Sequence, residues 1–126
     1  MAVEFGKAVP ILRIFDVAKA REFYLDFLGF TVDWEHRFSP DAPIYMQVTR
    51  SGISLHLSEH HGDGTPGTAV YVTATGLAEF HAELGARNYK YNRPGLMEQE
   101  WGMREMYVND PFGNTIRFGE PVEKTG

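Results

Sequence analysis

The sequence predicts an α+β fold in which one βαβββ module is used twice. Three observations carry this. A strand–helix–strand–hairpin order runs to residue 58 and restarts after a glycine-rich linker. The hairpin from Tyr45 to Leu57 aligns with that from Glu105 to Phe118, with one extra residue in the second turn. The hairpin strands alternate apolar residues with polar or aromatic ones.

Val9–Phe15 reads as the first strand. Asp16 offers an N-cap, and Val17, Ala20, Tyr24, Phe27 and Leu28 form the stripe of a helix that Gly29 ends. Phe30–Phe38 reads as a strand and residues 39–43 as a loop. Ile44–Thr49 and Ile53–Ser58 form a hairpin around Arg50-Ser51-Gly52. Residues 59–67 have the composition of a flexible linker. In the second module Thr68–Thr73 is a strand, and residues 76–86 are a helix with Leu77, Phe80 and Leu84 on one side. Asn88–Asn92 is a strand, and a long loop leads to Trp101. Met103–Val108 and Thr115–Phe118 flank the turn Asn109-Asp110-Pro111-Phe112-Gly113-Asn114.

A chain of 126 residues has the size of one domain, with modules at about 8–59 and 67–119. Its apolar share of 43% and charged share of 23% fit an ordinary globular protein. No apolar run approaches the roughly 20 residues that span a bilayer. The N-terminus lacks the basic and apolar regions of a signal peptide, and there is no cysteine; both lead us to expect a cytoplasmic protein. A net charge of −5 without a basic run argues against nucleic acid and is compatible with a cationic ligand.

Alternation divides each strand into two faces. Ile53, Leu55 and Leu57 oppose Ser54, His56 and Ser58; Met46 and Val48 oppose Tyr45, Gln47 and Thr49. Met106 and Val108 oppose Glu105 and Tyr107; Ile116 and Phe118 oppose Thr115 and Arg117. The hairpin alignment matches His56 with Arg117, Tyr45 with Glu105 and Gln47 with Tyr107. The second faces are either solvated, as in many antiparallel sheets, or the lining of a ligand pocket. His56 is open between a structural and a ligand-contacting role. His36, His81 and the pair His60-His61 read as surface positions.

The stretches A8-V-P-I-L-R-I-F-D-V17, E22-F-Y-L-D-F-L-G-F30, E98-Q-E-W-G102 and D110-P-F-G-N114 resemble the vicinal oxygen chelate superfamily. This is the glyoxalase, bleomycin-resistance and extradiol-dioxygenase fold, and the chain is most similar to its bleomycin-resistance branch. The resemblance implies a curved sheet around a concave cleft, and a homodimer whose N-terminal segments cross, with Pro10 matching a proline that fixes the crossing. It implies metal-ligand positions at Val9, His56, Gly67 or Thr68, and Arg117, of which only His56 suits a metal. Arg117 would put a permanent cation where an anionic ligand belongs, able to donate to a ligand or to Glu105. No metal or other cofactor is therefore expected. The implied ligand contacts are Trp34 and Phe38 on one strand face, Tyr45 and Tyr107 on the floor, Gln47, His56, Tyr71, Glu105 and Arg117 around them, and Trp101 as a stacking platform. The leading expectation is a dimer that sequesters bleomycin or another planar small molecule without catalysis. The alternative is a glyoxalase-like lyase or isomerase with His56 or Glu105 as base and Arg117 at an oxyanion.

Overall fold

A computed structural model describes residues 2–90 and 93–122. The fold is α+β, with two four-stranded sheets of identical topology. The first contains β1 (Ile11–Arg13), β2 (Thr31–His36), β3 (Tyr45–Arg50) and β4 (Ile53–Ser58), in the order β1-β4-β3-β2. The second contains β5 (Ala69–Thr73), β6 (Leu96–Glu98), β7 (Met103–Asn109) and β8 (Thr115–Pro121), in the order β5-β8-β7-β6. In each, the first strand runs parallel to the last, and the helix after the first strand leads the chain across to the second strand at the opposite edge.

Helix α1 begins at Val17–Arg21, capped as expected by Asp16, whose side chain accepts the Lys19 amide at 3.0 Å. From Glu22 to Phe27 the winding is π-helical. The wider turn brings Phe23 into the core beside Tyr24, Phe27 and Leu28, although an α-helical stripe leaves Phe23 out. Gly29 ends the segment with φ +80°, as its position suggested. Helix α2 (Leu77–Arg87) follows β5. The inward faces of the strands, Met46, Val48, Leu55, Leu57, Met106, Val108, Ile116 and Phe118, form one buried cluster with apolar residues of both helices.

Two expectations need correction. Residues 88–90 form no strand; Asn88 caps α2 with φ +53°, and residues 91–92 lie outside the described residues. The fourth strand of the second sheet is Leu96–Glu98, paired with Arg104–Met106, so the long loop is an edge strand and a tight turn. The linker is at the surface, with residues 61–62 and 64–67 exposed, and is anchored at one point. Gly64 lies against β1 so closely that a β-carbon there would come within 2.8 Å of the Ile11 carbonyl oxygen.

A buried polar joint connects the modules. Asp110 receives the Tyr24 hydroxyl (2.7 Å), the amides of Phe112 (2.9 Å) and Asn114 (2.8 Å), and the Asn114 side-chain amide (2.8 Å). Asn114 also donates to the Arg13 carbonyl at 2.9 Å. The Phe-Tyr motif of the first module and the Asp-Pro-Phe-Gly-Asn turn of the second are thus two halves of one structural contact. A second bridge runs from Arg50 to Glu83 (2.7 and 3.0 Å) and to the Leu28 carbonyl (2.6 Å).

Candidate functional site

The candidate residues fall into two groups, one per sheet, and the registers explain both. Gln47 faces His56 across β3–β4, and Tyr107 faces Arg117 across β7–β8, as the hairpin alignment anticipated. The parallel pairings add Ile11 opposite His56 and Tyr71 opposite Arg117.

In the first sheet a register shift between Val32 and Trp34 leaves Asp33 as an extra residue. A bulge of this kind re-aims side chains. Asp33 and Trp34, though adjacent, both reach the polar–aromatic face. Asp33 accepts from the Gln47 amide nitrogen at 2.9 Å and from the Thr49 hydroxyl, which hold its carboxyl below the usual range, the Thr49 bond most of all. The Trp34 ring lies parallel to Tyr45, with centroids 5.9 Å apart, and edge-on to His56 at 5.4 Å.

His56 is held on both ring nitrogens: Nδ1 is 2.7 Å from the Tyr45 hydroxyl and Nε2 is 2.9 Å from the Gln47 carbonyl oxygen. A cavity of about 400 Å³ opens beside this group, lined by Trp34, His36, Phe38, Tyr45, His60 and Asp63. Phe38 lies beyond the end of β2, 80% exposed, and packs edge-on against His36 and His60. His60 and Asp63 therefore belong to this site. The sequence reading left them in the linker because nothing local shows that the linker folds back.

In the second sheet Glu105 is buried. Its carboxylate accepts from Tyr71 at 2.8 Å and Tyr107 at 2.9 Å, and the Gln99 side chain bonds to it as well. The Tyr71 bond is the main cause of a carboxyl held below its ordinary range; the same bonds raise both phenols. To reach Glu105, Tyr71 crosses the intervening strand over Gly119, where a β-carbon would stand 1.9 Å from the phenolic oxygen. Gly119 is a site residue with no sequence signal, because its role appears only once three strands are paired. Arg117 is exposed, its guanidinium 4.8 Å from the centre of the Tyr107 ring. It acts on Glu105 through space, its charge helping to lower that carboxyl. Trp101 stands at the tip of the β6–β7 turn, 66% exposed, with Gly102 at φ +84° closing the turn through a 3.1 Å bond to the Gln99 carbonyl.

This network gives a pH prediction. The lowered Glu105 carboxyl adds stability above the ordinary carboxylate value of about 4.3, and that stability is lost as the pH falls through the lower folded value. The raised phenols add stability below about 10, lost as the pH rises through their folded values. Tyr71→Phe should flatten both limbs, and Gly119→Ala should do the same by displacing the ring. Urea melts across pH measure this; unchanged acid and alkaline limbs in both variants would refute the network.

The register places Ile11 beside His56 and Tyr71 beside Arg117. An alkyl group, an imidazole bonded on both nitrogens, a phenol committed to a carboxylate and a guanidinium do not fit a divalent ion. Among the described residues no three His, Cys, Asp or Glu side chains converge elsewhere. A cavity of about 550 Å³ lies between the modules beside Phe30, Arg50, Val72, Leu77 and Phe118, and is lined by none of the candidates.

A family model described as "Glyoxalase superfamily protein" matches residues 1–125. Among curated proteins none matches. The chain is similar to a bleomycin-binding protein from bleomycin-producing Streptomyces verticillus, solved with copper(II)-bleomycin. The identity is 27%, with 98% of this chain and 100% of that chain covered and a TM-score of 0.67. It is similar to a bleomycin resistance determinant encoded on transposon Tn5 (23% identity, 93% and 98% covered, TM-score 0.72). It is also similar to a glyoxalase-related enzyme from Clostridium phytofermentans (17%, 95% and 98%, TM-score 0.74).

Proposed function

This chain belongs to the glyoxalase superfamily, and we propose that within it the protein works by binding a planar small molecule without converting it. One observation carries the reading. The groups that could act as a base, His56 and Glu105, are tied by hydrogen bonds within their own sheets, while Trp34 beside His56 and Tyr71 on Glu105 keep exposed area. An imidazole bonded on both nitrogens and a carboxyl pulled below its ordinary range are poorly matched to proton abstraction near neutrality. Exposed Trp34, Phe38 and Trp101 instead offer flat apolar area for stacking.

Solved relatives that bind bleomycin support a bleomycin-like heteroaromatic as the ligand and sequestration as the role. A homodimer is part of the proposal. Trp34 and Trp101 belong to different sheets, so a cleft shared between two copies would allow one ligand to meet both. Phe5 and Val3, 92% and 76% exposed in the segment before Pro10, give that segment apolar surface to bury on a second copy. Pro10 immediately precedes β1, and its carbonyl accepts the His56 amide at 2.9 Å, so it would hold the start of any crossing segment. In sedimentation the protein should run as a dimer; a monomer at all concentrations would rule out the shared cleft.

The test of function is recovery. Protein mixed with metal-free bleomycin should carry it through gel filtration and, once denatured, release it with unchanged mass. Failure to retain the drug would remove it as ligand, and a changed mass would establish turnover. Among the described residues no helix is long and apolar enough to cross a membrane.

A further inference from the structure

The hydrogen bonds of the first sheet have a direction, and it can be followed from one end to the other. Asp33 is a carboxylate and can only accept, so the Gln47 group 2.9 Å from it is the amide nitrogen. That orientation turns the Gln47 carbonyl oxygen to His56 Nε2 at 2.9 Å. A carbonyl accepts, so Nε2 carries the proton and Nδ1 of the neutral ring is bare. Bare Nδ1 then accepts the proton of the Tyr45 hydroxyl, 2.7 Å away. Tyr45 lines the cavity, and its oxygen, whose only proton is given to His56, has lone pairs alone to offer a ligand.

We infer that Asp33 is a positioning residue which, through Gln47 and His56, fixes the Tyr45 hydroxyl as an acceptor, so that the cavity beside Trp34 selects a hydrogen-bond-donating cation such as an amidinium or protonated amine on a flat ring. Two further features favour that class. Asp63, one of whose carboxylate oxygens accepts the Ser58 hydroxyl at 2.9 Å, lines the cavity, and no lysine or arginine does. The parallel Trp34 and Tyr45 rings offer π-faces, which attract cations. The inference rests on the binding reading for there being a ligand, and it adds the ligand's chemistry. Without Asp33 the Gln47 amide can turn over, moving the imidazole proton to Nδ1 and the Tyr45 proton out towards the cavity.

The test uses two flat probes of the same shape and opposite polarity, benzamidinium and benzoate, with nitrogen-15 NMR of His56. At neutral pH, His56 should carry its proton on Nε2. Benzamidinium should shift the Trp34 and His56 signals saturably and bind at least about tenfold more tightly than benzoate, the worth of one charge-assisted hydrogen bond. Asp33→Ala, and independently Gln47→Leu, should lose the tautomer bias and reduce that preference by at least about threefold, the scale of a single neutral hydrogen bond. A proton on Nδ1, benzoate binding as well as benzamidinium, or a preference unchanged in folded variants would each overturn the inference. None of these readouts involves bleomycin, so failure of the drug to bind leaves this result separate.

Discussion

Asp110→Ala is expected to destabilise the protein by about 3–5 kcal/mol, the range for breaking a buried hydrogen-bond network. Asp110 is the common acceptor for four donors, two of them backbone amides of its own turn. Its removal also leaves the Tyr24 hydroxyl, fully buried on the other module, without a partner. That combination distinguishes it from Tyr24→Phe, which deletes the donor and leaves Asp110 with three others; about 1 kcal/mol is expected there. In thermal melts the difference should read as a midpoint lower by roughly 12 °C or more for Asp110→Ala and by only a few degrees for Tyr24→Phe. Equal effects would mean that Asp110 serves its turn alone and that the modules are joined by apolar packing.

The second large effect is on binding. Trp34→Ala removes the ring stacked on Tyr45 and should weaken the ligand by about 2 kcal/mol, roughly thirtyfold, as for an aromatic hot spot. Trp101→Ala should weaken it to a similar degree with no loss of stability, because that indole is mostly exposed at the tip of its turn. Calorimetric titration of both variants with metal-free bleomycin measures this. A full-affinity Trp101→Ala would refute the stacking role; a full-affinity Trp34→Ala would move the ligand off the first sheet.

The element order and the strand faces were legible in the sequence because alternation and turn chemistry are local. Asp16, Gly29 and the Asp110–Asn114 turn declare themselves within a few residues. The equivalence of Gln47–His56 and Tyr107–Arg117 could be read because both hairpins are short and in register. What was not legible depends on distant partners. The bulge at Asp33 exists only against β3, and it puts two adjacent residues on one face, which alternation forbids. Leu96–Glu98 is three residues of edge strand, too short to show a period. The π-helical turn that buries Phe23 answers to packing, not to propensity. Gly119 matters only because Tyr71 crosses it, and His60 only because Gly64 lets the linker lie on β1. The wiring of the candidate site was likewise not legible: His56 stood open between a structural and a ligand-contacting role and Glu105 read as a possible base, and both are held by their neighbours.

The claim that this protein binds a planar ligand on exposed aromatic surface is tested most directly by its own indoles. Titrating metal-free bleomycin while following tryptophan fluorescence should give saturable quenching at micromolar ligand or below, reduced in both Trp101→Phe and Trp34→Phe. A flat titration, or saturable quenching that neither substitution alters, would contradict it.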